Sequence, residues 1–173
     1  MALGDYDNAT NILIDIGFDY LHKWGFTDLL LRLHTALEGK IKDPASALTI
    51  MTNLGMMYRQ MDNPQMSLQK YQIALEMAQA QGNRTVEARA IGAIGIAYYE
   101  MGQFDIAKGY YLQAYEMCKS NGDKIGEGGW LGNVGSAYLR LGFHEEAIGY
   151  YKQAYVVSKS IDDAPREIAL LGN

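Results

Sequence analysis

The chain has 173 residues, 49% of them hydrophobic, with 15 Lys+Arg against 20 Asp+Glu for a net charge of -5 and a single cysteine. That acidic balance argues against the basic stripe of a nucleic-acid surface, and the lone Cys118 rules out a disulfide framework within the chain and fits a reducing compartment. No run of 18 apolar residues offers a membrane span, and the start Met1-Ala2-Leu3-Gly4 lacks the regions of a secretory signal, so a cytoplasmic location without membrane partners is expected.

The opening, Gly4-Asp-Tyr-Asp-Asn-Ala9, has the spacing of Gly102-Gln-Phe-Asp-Ile-Ala107, a turn followed by a helix start. Residues 1–42 therefore read as a partial repeat plus an inserted helix. Phe18, Tyr20, Leu21, Trp24 and Phe26 cluster aromatic and apolar side chains in a connector. The inserted helix is placed at Thr27 to Glu38, with Thr27 as N-cap, Asp28 in the first turn and Gly39 as the stop. Asp43-Pro44 then opens the first full hairpin, with Asp43 capping and Pro44 at the first helical position.

Three hairpins follow, over 43–84, 85–124 and 125–164. Ile91, Ile94, Gly95 and Tyr98 fall at i, i+3, i+4 and i+7, one face of a helix, and Phe104, Ala107, Tyr111 and Ala114 repeat that face after the Gly102 turn. Forty residues later stand Gly135, Tyr138, Gly142, Ala147, Tyr151 and Ala154; forty earlier stand Gly55, Tyr58, Asp62, Ser67, Tyr71 and Ala74. Gly82, Gly122-Asp123 and Asp162-Asp163 occupy equivalent returns. Glu167 matches Glu127 and Glu87, so 165–173 reads as the start of a further repeat, and both ends of the chain read as cut within repeats of a longer protein. Gly55, Gly95 and Gly135 are read as close-approach positions, and the three tyrosines as filling between hairpins. The expected architecture is an all-α, right-handed superhelical solenoid of antiparallel helix hairpins with a concave side.

The first helices carry a second stripe that packing leaves over. It runs Thr52, Asn53, Met56, Arg59 and Gln60, then Gly92, Ala93, Ile96, Tyr99 and Glu100, then Gly132, Asn133, Ser136, Leu139 and Arg140, with Arg89 beside it. A solvated face would be richer in Lys and Glu; amide, aromatic, Met and Arg together suit a binding surface. The expected groove residues are Asn53, Met56, Arg59, Gln60, Arg89, Ile96, Tyr99, Glu100, Asn133, Ser136 and Arg140. Asn53 and Asn133 contribute amides, which both donate and accept hydrogen bonds and so suit the backbone of the extended peptide that the resemblance given next implies.

At Leu54-Gly55-x-x-Tyr58, Gly102-x-Phe104-x-x-Ala107 and Tyr111-x-x-Ala114 the sequence resembles the tetratricopeptide repeat, in a variety with a 40-residue period instead of the usual 34. The run F-D-Y-L-H-K-W-G-F-T-D-L-L-L-R-L-H, followed by L-E-G-K-I-K-D-P, resembles the entry to the C-terminal repeat arrays of STAND-type signalling ATPases. The resemblance implies a scaffold that takes a protein or peptide on its concave groove, in a regulatory or signalling protein. Two rivals remain open: a small-molecule-sensing arm using the Trp24 cluster or Tyr99, and a structural module that self-associates through exposed repeat ends. Some relatives clamp a C-terminal carboxylate with lysines and asparagines; the stripe has no lysine, so that specificity is not carried over.

Catalytic chemistry finds no footing. Gly126-Glu-Gly-Gly-Trp-Leu-Gly-Asn-Val-Gly135 looks like a phosphate-cradling loop, but Gly132 and Gly135 are in register with Gly92 and Gly95 inside a helix, and no G-x-x-x-x-G-K-[ST] occurs. Gly128, Gly129, Gly132 and Gly135 each weaken the helix by roughly 0.8–1.0 kcal/mol against alanine, which predicts a locally soft first helix. His22, His34 and His144 lie in different units without metal-ligand spacing, and His144 is expected to pack where Phe104 does. No cofactor, metal or enzymatic activity is expected.

Overall fold

The computed structural model describes residues 27–171, with side chains over 28–161. The expected half repeat at Gly4–Ala9 and the Phe18–Phe26 aromatic cluster lie outside the described residues, as does Gly172-Asn173. The described residues are helices joined by short turns: α1 Thr27–Leu37, α2 Pro44–Gln60, α3 Pro64–Ala80, α4 Arg84–Glu100, α5 Phe104–Asn121, α6 Lys124–Arg140 and α7 His144–Leu171. The fold is all-α, an array of helix hairpins of the solenoid class. By its internal contacts the chain divides into two compact units, Met1–Gly82 and Asn83–Asn173.

Local chemistry sets the helix starts. Asp43, Asn63, Asn83 and Asp123 each accept a hydrogen bond from the backbone N–H three residues on, at Ser46, Met66, Val86 and Gly126. The Ser46 hydroxyl and then its amide, both donating to Asp43, hold that carboxyl below its ordinary value. Pro44 and Pro64 sit in the first turn, where a missing N–H leaves no helical bond unmade.

In the first unit, α1 packs on α2 and α2 pairs with α3. Leu30, Ile50, Leu54 and Met57 are buried, and Lys70 on α3 reaches Glu38 just beyond α1 at 2.6 Å. In the second unit α4 pairs with α5, α5 with α6, and α6 with α7. Ala107, Tyr111, Val134 and Ala137 form a shared core between α5 and α6, with Trp130 and Tyr138 against it.

The glycines are close-approach positions, as expected, and Tyr111 meets Trp130 of the next hairpin. Each tyrosine ring also lies over the glycine of the first helix in its own hairpin. A Cβ on Gly55 would stand 2.5 Å from the Tyr71 ring, one on Gly95 2.8 Å from Tyr111, and one on Gly135 3.0 Å from Tyr151. The ring fills the space that the absent side chain leaves. One difference from expectation concerns His144, which is exposed; its neighbour Phe143 sets its ring edge-on to Tyr138, with centroids 6.2 Å apart. The polar imidazole faces water and the repeat finds its aromatic one residue earlier.

A second difference is at the end. A return is expected at Asp162-Asp163, yet α7 continues through it to Leu171. After α5 the equivalent return is made by Gly122 at φ +73°, a left-handed conformation that glycine adopts at little cost. Asp162 stands where that glycine would be, and the helix is not broken.

Candidate functional site

The stripe on α2 belongs to the first unit. There His34 of α1 is fully buried, and its Nδ1 donates to the Leu30 carbonyl at 2.9 Å, which leaves Nε2 to accept from the Asn53 amide at 3.3 Å. Burial pushes the His34 imidazole below its ordinary value, so it holds the neutral form this arrangement needs, while the Leu30 bond works in the opposite direction. Asn53, read as a peptide-holding amide, therefore spends part of its hydrogen-bonding capacity on tying α1 to α2. Met56 and Arg59 are half-buried, and Gln60 is exposed, on the same helix. The Asn53–His34 pair has no signal in repeat spacing, because His34 lies in the inserted helix.

In the second unit, Arg89 and Ile96 of α4 and Asn133 of α6 are brought together. They line an open cavity of about 430 Å³ with Asp123, Ile125, Gly126, Gly129 and Trp130. Its wall follows from the sequence. Trp130 lies across α4 at Gly92, where any Cβ would fall inside the indole, and it stacks on Tyr111 with centroids 6.0 Å apart and planes at 17°. Gly126 and Gly129 leave the α6 side without bulk. The glycines of this stretch thus shape a cavity on a continuous helix, not a phosphate loop.

The chemistry of the lining is mixed. Ile96, exposed Ile125 and the indole offer apolar surface, while Arg89 and Asn133 offer donors and an amide acceptor. Asp123 is engaged in capping α6, accepting from Gly126 N at 2.9 Å. Cys118 is buried behind it, and burial first, then the Asp123 charge, push its thiol above the ordinary value, away from thiolate reactivity.

The other stripe residues of this unit serve neighbours. Tyr99 packs edge-on to Phe104 at 5.0 Å, and the Arg140 guanidinium lies 4.9 Å from the centroid of the same Phe104 ring. The Ser136 hydroxyl bonds the Gly132 carbonyl and the Tyr151 hydroxyl, each at 3.0 Å, and Glu100 is exposed. Sequence reasoning missed Trp130, Ile125 and Gly129 as lining residues. The available signal was a tryptophan standing where the preceding repeats have Ala90 and Ile50, with Gly92 in the facing helix.

Among the described residues no group of three or more His, Cys, Asp and Glu gathers as a metal site, and no helix is long and apolar enough to cross a membrane.

Two family models, each described as tetratricopeptide repeat, match residues 46–120 and 131–164, together more than half of the chain. No curated protein matches the sequence. Among solved structures, the apo form of RapI superposes with a TM-score of 0.81 at 11% identity, over 91% of this chain and 58% of that one. The Rap conjugation gene regulator of plasmid pLS20, in complex with the Phr peptide, gives 0.70 at 20% identity, over 80% and 40%. A STAND protein with a tetratricopeptide repeat sensor, from Pyrococcus horikoshii, gives 0.71 at 19% identity, over 91% and 23%. At these identities the likeness is one of fold, and the chain spans a part of each of these proteins.

Proposed function

Because the chain belongs to the tetratricopeptide repeat family, we propose that it is a binding scaffold whose cavity between α4 and α6 takes an extended segment of a partner protein. The observation that carries this reading is the lining itself: Trp130, Ile96 and Ile125 beside Arg89 and Asn133, on an open cavity of about 430 Å³. An apolar side chain of the segment enters against the indole, and Asn133 pairs with its backbone. Aromatic and Arg residues with few lysines are the composition of such a surface. The Phr-bound Rap regulator, a protein of similar fold, supports the reading by example. The role belongs to a cytoplasmic regulatory or signalling protein, with hairpins 43–84, 85–124 and 125–164 as its repeat units.

Cavity volume favours one rival, since small-ligand sites span about 300–1,000 Å³. One experiment addresses both. A random peptide library is selected on the protein carrying Trp24→Phe, which leaves Trp130 as the sole indole reporter. Selected peptides are expected to shift Trp130 emission saturably and to lose about tenfold or more in affinity with Asn133→Ala plus Arg89→Ala, on the order of 1.4 kcal/mol. Absence of any saturable peptide, or peptides indifferent to both substitutions, would overturn the reading and turn attention to small ligands.

A further inference from the structure

Helix α1 is buried along one narrow stripe, and a titratable residue sits at its centre. Leu30, His34 and Leu37 fall at i, i+4 and i+7 on one helix face, and all three are buried, Leu30 and His34 completely. Leu29 and Leu33 lie off that stripe and are exposed. A leucine at position 34 would seal the stripe at any pH. An imidazole seals it only while it is neutral.

Both ring nitrogens are engaged in a way that the neutral form alone allows. Nδ1 donates to the Leu30 carbonyl at 2.9 Å, and Nε2 accepts from the Asn53 amide at 3.3 Å, the hydrogen bond that ties α1 to α2. A ring protonated at both nitrogens has no acceptor left, so its Nε2–H would face the Asn53 N–H. The amide could turn its oxygen to the ring, but a buried charge would remain, and burying a charge without a counter-ion is costly. The charged neighbours are committed elsewhere. On α1, Asp28 pairs with Arg32 at 2.9 Å, both exposed. Lys70 of α3 is held by Glu38, just beyond α1, at 2.6 Å, and Glu76 of α3 is exposed. Helix α2 has a single charged residue, Arg59, six places after Asn53 and beside Tyr58.

We propose that α1 is a pH-gated clasp: proton uptake by His34 in mildly acidic solution releases α1 from α2 and frees the Asn53 amide. The direction follows from burial, which pushes the imidazole below its ordinary value, with the Leu30 bond working against it. A histidine lowered in the folded state contributes its stability in full above its ordinary value near 6.5. That contribution is lost as the pH falls from there toward the lowered value. Asn133, two repeat periods after Asn53, lines the open cavity of the second unit, and release gives Asn53 a comparable freedom. Only a use of the freed amide in binding rests on the groove reading; the release itself does not.

The test is amide hydrogen exchange of the full chain at pH 7.5 and 5.5, corrected for the intrinsic rate at each pH, with α5 as internal reference. No ligand enters this readout, so the groove reading can fail without touching the clasp. A several-fold to about tenfold loss of protection in α1 at pH 5.5 is expected, with α5 unchanged. His34→Gln, whose amide donates and accepts but takes no proton, is expected to remove the loss. His34→Leu, an apolar filler of the stripe, is expected to do the same if glutamine does not seat. Protection of α1 that does not change with pH overturns the proposal. So does a parallel loss in α5, which marks general acid unfolding, or a loss that survives both substitutions, which assigns the proton to another group.

Discussion

Helices α5 and α7 are nearly the same sentence in two contexts. Each follows a glycine turn, carries an alanine and a tyrosine at matched positions, and packs on a glycine of the helix before it. Yet Tyr111 is 3% exposed and Tyr151 38%. The difference is α6: it lays Trp130 over Tyr111, whereas no described residue does the same for Tyr151. Sequence identity at a repeat position sets which way a side chain points, and the next repeat sets how much water it loses.

The largest test of that comparison removes the rings. Tyr111→Ala is expected to cost about 3–5 kcal/mol in denaturant unfolding, the range for deleting a buried aromatic, and Tyr151→Ala distinctly less because its ring already meets water. Equal losses would mean that Tyr151 is covered in solution. A smaller effect comes from filling the glycines. Gly95→Ala forces a Cβ against a ring locked under Trp130 and is expected to cost about 1–3 kcal/mol. Gly135→Ala meets a ring that no tryptophan covers, though it is bonded to Ser136, and the Ala147 carbonyl at 3.2 Å; a helix-propensity gain of up to about 1 kcal/mol offsets part of these looser contacts, so thermal melts should show a smaller loss than for Gly95→Ala. The smallest effect concerns the returns. Gly122→Ala strains a left-handed position by about 1–2 kcal/mol. Asp162→Gly should leave global stability near the parent and loosen the helix locally, seen as faster amide exchange around residue 162; unchanged exchange there would mean that the missing glycine is not what carries α7 through the return.

Much of the fold was legible because its signals are local and recur. The Asp43 cap with Pro44 behind it and the glycine at each close approach act within a few residues or one hairpin, so spacing alone exposes them, while the caps at Asn63, Asn83 and Asp123 emerge only in the structure. The tetratricopeptide family followed from the same spacing. The cavity was legible only in part: Arg89, Ile96 and Asn133 stood on the stripe, but Trp130 was read as part of a soft glycine-rich helix. Its role depends on Gly92, on a different helix, leaving room for an indole.

By itself the sequence determined the helix starts from α2 to α7 and the repeat, though not where α7 ends, since hydrogen-bond capping, backbone freedom and hydrophobic period are properties of short segments. The tertiary structure alone decided which stripe residues are taken up by neighbours. Asn53 turns to His34, Ser136 to Tyr151 and Arg140 to Phe104, while Asn133 lines an open cavity. That choice is one of competing partners at hydrogen-bond and van der Waals range, and such competition exists only once the helices are packed.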